Sequence, residues 1–150
     1  MNVKKSILIF SFLNFAVSFA SDIVLNDLST NFKIVKSLQS YFNKQSILKS
    51  ALDAGITVLF ALIINMFFSY YLFGFIIPNN FTNLIYFCIL AFVIGYIIDI
   101  LIYKLHIFGN RLDDYYKELG AGFWGALAFV FSIVISYFIQ KNICLLCYND

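Results

Sequence analysis

Asn65 and Asp99 are the polar side chains that stand out in this chain, because each interrupts a long apolar run. An amide in hydrocarbon needs a partner, since lipid offers it none. Asn65, at the middle of its run, reads either as a polar site in a pathway or as an interhelical hydrogen bond worth roughly 0.6–2 kcal/mol. A carboxylate inside a membrane is a functional candidate by default. Asp99, however, lies roughly one turn from the end of its run, within reach of the interface or of Lys104 and Arg111. A proton or ion relay would want more acids, and no second one falls within the apolar runs.

The other chemistry-bearing types lead nowhere specific. His106 is the single histidine, with no acid or nucleophile at a recognisable spacing and apolar neighbours in sequence. Acid–base catalysis and zinc binding both need more than that. Cys144 and Cys147 form a CxxC. In a thioredoxin-type site such a pair opens a helix after a strand; here it follows an apolar run. Alone it is half a zinc site, and a disulfide, acylation or two unmodified thiols fit it as well. No nucleophile, acid–base pair or metal set emerges, so the expectation is a protein that is not an enzyme and takes no cofactor or metal.

These residues sit in a chain that is 62% hydrophobic and 12% charged. Soluble domains run at roughly 45–50% and 25%. A soluble fold of 150 residues could not cover that apolar surface, so lipid is its solvent. A net charge of +2 is too small for a nucleic-acid partner. There are 19 Phe and 10 Tyr against one Pro and one Trp. The prominent Ile, Phe, Asn, Lys and Tyr have AT-rich codons, which speaks to the source genome and not to function.

The elements follow from the apolar runs. Residues 54–77 and 119–139 carry no charge, and 82–103 carry Asp99 alone. At 1.5 Å per residue each is long enough for the roughly 30 Å hydrocarbon core. Pro78-Asn79-Asn80 ends the first of them as a turn. Residues 1–25 hold a basic start, Lys4 and Lys5, and an apolar run from Ile7 to Phe19. Ser18 and Ala20 fit a signal-peptidase site, while the same residues also fit an uncleaved membrane helix. Residues 29–50 differ: Phe32, Val35, Leu38, Phe42 and Leu48 recur at helical spacing, with Lys33, Lys36, Lys44 and Lys49 and no acid among them. That pattern predicts a basic amphipathic helix on the membrane surface, with the lysines on anionic head groups. A helix packed on a protein partner is the alternative. The whole, 1–150, reads as one all-α membrane domain: a helical bundle with three clear transmembrane helices, a hydrophobic N-terminal helix and a surface helix.

Lysines and arginines set the expected topology. They crowd the segment before residue 54 and the loop at 104–118, and are absent from the turn at 78–83. Positive charge stays cytoplasmic, which puts 23–53 and 104–118 inside and the turn and C-terminus outside. A cleaved signal would export the lysines of 29–50. A retained first helix with its N-terminus outside obeys the rule better, so four membrane helices are expected.

The third clear span carries a packing signal. Ala121, Gly125, Ala128, Ser132 and Ser136 step by four, three, four and four, so they share a face. Small residues let backbones approach in lipid, where van der Waals contact drives association. Gly122 and Ala126 add a second small pair, and Phe129 is expected on lipid or a looser face. The loop before it, with Arg111, Asp113, Asp114, Lys117 and Glu118, reads as a docking surface or as a solvated connector.

The stretch YYKELGAGFWGALAFVFSIVISY, the AT-rich composition and the small multi-pass layout resemble small multi-pass membrane proteins of nucleocytoplasmic large DNA viruses. The likeness covers roughly residues 82–140. It implies a structural protein of a virion's internal membrane that contacts capsid proteins, and it carries no catalytic residues over. The expected function is therefore structural or assembly, with the lipid bilayer and other membrane or capsid proteins as partners. The alternative is a small oligomeric ion channel or transporter, a homo-oligomer with Asn65 and Asp99 facing its pore.

Overall fold

The structure, a computed structural model, describes residues 3–31, 47–104 and 115–146. They form four α-helices: α1 (Val3–Asn31), α2 (Ile47–Phe73), α3 (Phe81–Lys104) and α4 (Tyr115–Leu146). All four are long and apolar enough to cross a membrane, over Val3–Val24, Ala51–Phe73, Phe81–Ile102 and Gly125–Ile143. Most of the basic surface helix expected over 29–50 lies outside the described residues. Its first residues belong to α1 and its last to α2.

The helices form a closed ring in which α1 packs on α2 and α4, and α3 packs on α2 and α4. Side-chain contacts fix the directions. Asn14 meets Ser132 and Ser6 meets Gln140, so α1 and α4 are antiparallel. Gly95 and Asp99 of α3 face Phe129 and Gly125 of α4, again antiparallel. The turn at 74–80 does the same for α2 and α3. The bundle thus runs up, down, up, down, and α1's N-terminus shares an end with the 74–80 turn and α4's C-terminus.

The buried positions explain why these helices meet. In α2 they include Ala51, Gly55, Val58, Leu62, Asn65 and Ser69; in α3 Leu84, Phe87, Ala91, Ile94 and Ile98; in α4 Gly122, Ala126, Phe129, Ile133, Ser136 and Gln140. Each series alternates steps of three and four, which is the seam of helices packed nearly parallel or antiparallel along their whole length. Phe10 of α1 and Phe87 of α3 meet edge to face across the ring, centroids 6.1 Å apart. The opposite faces present Phe60, Ile63, Phe67, Ile89, Val93, Leu127 and Phe131 outward, the belt a bilayer requires.

The span expected to continue to residue 77 ends earlier, at Phe73. Gly74 stops it: its φ of 77° is left-handed, and its N–H donates to the Tyr70 carbonyl at 3.0 Å. This is the glycine C-cap, and it turns the chain before Pro78 is reached. Asn80 then opens α3, its side-chain oxygen accepting from the Asn83 N–H at 2.8 Å. The last span also shifts. α4 continues through Gln140, expected in a tail, to Leu146.

Candidate functional site: the polar interior

Several polar side chains of the spans point inward. Asn14, Ser18, Asn65, Ser69, Ser132, Ser136 and Gln140 are all buried between the helices. The reason is the solvent outside: a hydrocarbon chain offers an amide or hydroxyl nothing, so each turns to the one place that holds other polar atoms.

Asn65 is completely buried and donates through Nδ2 to the Phe87 carbonyl at 3.3 Å, tying α2 to α3. Asn14 donates to the Phe10 carbonyl at 2.8 Å within its own helix, and its Oδ1 accepts from Ser132 Oγ at 3.0 Å. The same Ser132 hydroxyl lies 2.8 Å from the Phe129 carbonyl, so one hydrogen serves two acceptors. Gln140 donates to the Ser6 carbonyl at 3.1 Å. That contact and the Asn14–Ser132 pair are about 12 Å apart along the helices and pin α1 to α4 at two heights. Among the buried atoms with no hydrogen-bond partner are Asn65 Oδ1, Ser69 Oγ, Ser136 Oγ and Tyr137 Oη.

Asp99 lies five residues from the end of α3 and is partly buried. It sits on Gly125 of α4. A Cβ at Gly125 would come within 2.5 Å of the Asp99 carboxyl carbon and 2.6 Å of Oδ2. Glycine is therefore what admits the carboxylate between the helices. Arg111, one of its expected partners, lies outside the described residues, as does the Lys104 side chain. Asp53, buried in α2, occupies the same level on the neighbouring helix. Sequence reading began the span at residue 54 and so passed over it.

The expected small-residue face is divided by the structure. Gly125 meets Asp99, Ser132 meets Asn14, and Ser136 is buried. Ala128 is exposed instead, and the Ala121 side chain lies outside those described. The α3-facing seam runs through Gly122, Ala126 and Phe129. A Cβ on Gly122 would lie 2.8 Å from the Ile100 side chain, and one on Gly95 would lie 3.0 Å from the Phe129 ring and 3.3 Å from the Ala126 Cα. Phe129, expected on lipid or a looser face, is only 1% exposed. The error is one of phase, because the stripe of small residues drifts about the helix while the seam keeps its alternating steps of four and three. Among the surface lysines Lys49 is exposed; Lys33, Lys36 and Lys44 lie outside the described residues, as do His106 and Cys147, with the Cys144 side chain.

Asn14, Ser69 and Gln140 were not singled out by sequence reasoning, and Ser18 was read only as part of a signal-peptidase site. Their signal is position: each falls on the inward seam of an otherwise apolar span. Among the described residues no three His, Cys, Asp or Glu come together as a metal ion would require. Fold and interior together define the class, an integral membrane protein built as a four-helix bundle with a hydrogen-bonded polar core. Compared with protein families, curated proteins and solved structures, the chain matches none.

Proposed function

We propose that this protein is a structural or assembly component of a membrane, a rigid helical unit whose ends are held for other proteins. What carries the reading is the use of the interior polar groups. Asn65, Ser132 and Gln140 each bond to another helix of the same chain. In lipid such bonds add to close packing in holding a bundle to one arrangement. The burial of Asn65 also speaks against the channel alternative. A ring of Asn65 side chains around a shared pore needs them on the bundle's outside, and they are in its core.

The finer reading follows the viral resemblance: a protein of a virion's internal membrane, with capsid proteins as its neighbours. The ends of the bundle, including the charged segment 104–118, are where a water-soluble partner would dock. Crosslinking in intact membranes or particles, followed by mild detergent extraction and mass spectrometry, tests both levels. The expected product is a stoichiometric complex with another protein, and for the finer reading that protein belongs to the capsid. Recovery as a lone homo-oligomer would overturn the assembly role.

A further inference from the structure

We infer that the half of the bundle nearest the 74–80 turn encloses a site for ordered water molecules, lined by Asn65, Ser69, Ser136 and Tyr137. The register built from Asn65 against Phe87 and from Gly95 against Phe129 sets Asn65 and Ser136 at one height, the height of Phe10 and Phe87. Ser69 lies one turn closer to the turn, level with Gln140 on α4. All four lining residues are at least nine-tenths buried, and each has a polar atom with no partner in the protein: Asn65 Oδ1, Ser69 Oγ, Ser136 Oγ and Tyr137 Oη.

Lone orphaned groups occur in proteins, but four in adjoining layers are a costly set. Serines within helices commonly donate back to a carbonyl in the preceding turn. Ser132 does so, whereas Ser69 and Ser136 do not. Their hydroxyls, with the Tyr137 phenol and the Asn65 oxygen, supply three donors and several acceptors. Water matches that inventory, since it donates and accepts at once and makes two to four bonds in buried sites. None of the four lining side chains is a carboxylate or an amine, and the Lys141 ammonium, 5.9 Å from the Tyr137 ring centroid, belongs to an exposed residue, so the occupant is neutral. One layer further from the turn come Leu62, Ala91 and Ile133 beside the hydrogen-bonded Asn14–Ser132 pair, and the layer after that, Val58, Ile94 and Phe129, offers water nothing.

Radiolytic hydroxyl-radical footprinting of the full chain in lipid nanodiscs tests this, because bound waters are activated where they sit. Labelling is read by mass spectrometry and normalised to each residue type's intrinsic reactivity. The expected result is strong labelling of Tyr137 and of Met66, the buried neighbour of Asn65 in α2, and none of Phe129, buried in the apolar layer. In a Ser69→Ala/Ser136→Ala double variant the Tyr137 labelling should be lost, with a thermal midpoint no higher than the parent's. Neither serine hydroxyl makes a hydrogen bond within the protein, so a dry core predicts the opposite, a raised midpoint on removing two unsatisfied hydroxyls. Protection of Tyr137 and Met66 in the parent to the level of Phe129 overturns the proposal. If the variant fails to fold, the parent's labelling still decides.

Discussion

At the scale of the residue, the decisive contacts are between small side chains and what they admit. Gly125→Leu places a branched side chain where Asp99 now lies, 2.5 Å from the future Cβ. Overpacking of this kind costs about 1–3 kcal/mol. Ala128→Leu, one helical turn away and exposed, should change nothing. Thermal denaturation of the two purified variants in the same detergent compares them directly, and equal midpoints would show that Gly125 is not a contact. Phe129→Ala removes a buried ring from the seam beside Gly95. By analogy with soluble cores it should cost about 3–5 kcal/mol, more than the loss at Gly125. A Phe129→Ala protein as stable as its parent would place the ring on lipid after all. Asn65 could be recognised from sequence because an amide at mid-span has few explanations. Its partner could not, since the Phe87 carbonyl is backbone and leaves no trace in residue type.

At the scale of the element, the number and approximate extent of the membrane helices were legible, because length and hydropathy suffice to find them. Which face of each turns inward was not. Periodicity reveals a buried face in soluble proteins through the contrast with a polar surface. Here lipid makes the outer face as apolar as the core, and Phe67 and Phe129 look alike though one is exposed and the other buried. The boundary after α2 was missed for a local reason, since Pro78 drew attention from Gly74. No side chain crowds Gly74: a Cβ there would have nothing within 4 Å, and its φ of 77° is the whole constraint. Gly74→Ala should therefore destabilise by about 1–2 kcal/mol through the backbone alone, and Gly74→Asn by less. Asn80→Ala removes the cap of α3 and should cost about 0.5–2 kcal/mol. Thermal midpoints in detergent measure all three, and a Gly74→Ala midpoint equal to the parent's would refute the left-handed cap.

At the scale of the whole molecule, an even number of antiparallel helices puts both termini and the 74–80 turn at one face of the membrane. By the charge rule, that face is expected to be the outside. Cysteines introduced singly at Asn79 and Lys117, with the native cysteines removed, should be labelled by an impermeant reagent from outside and inside respectively. Outside labelling at 117 would invert the assignment. Because Phe10, Asn14 and Ser18 help fill the core, cleavage after Ala20 would open it. The expected N-terminus of the mature protein is therefore upstream of residue 20, as sequencing or intact mass will show, and a chain beginning at Ser21 would contradict this. Asn65, Ser132 and Gln140 are tied to other helices of the same chain, and Val58, Ile94 and Phe129 fill the interior between the polar groups, so pure protein in planar bilayers should carry no unitary current.

The short link at 74–80 also governs biosynthesis. α2 and α3 leave the ribosome in succession on a tether too brief to let them part. They enter the bilayer as a hairpin whose arms cannot be oriented independently, so any charge that inverts one inverts the other. For this half of the chain the cell makes a single decision of sidedness, and α4 follows against a partner already in place.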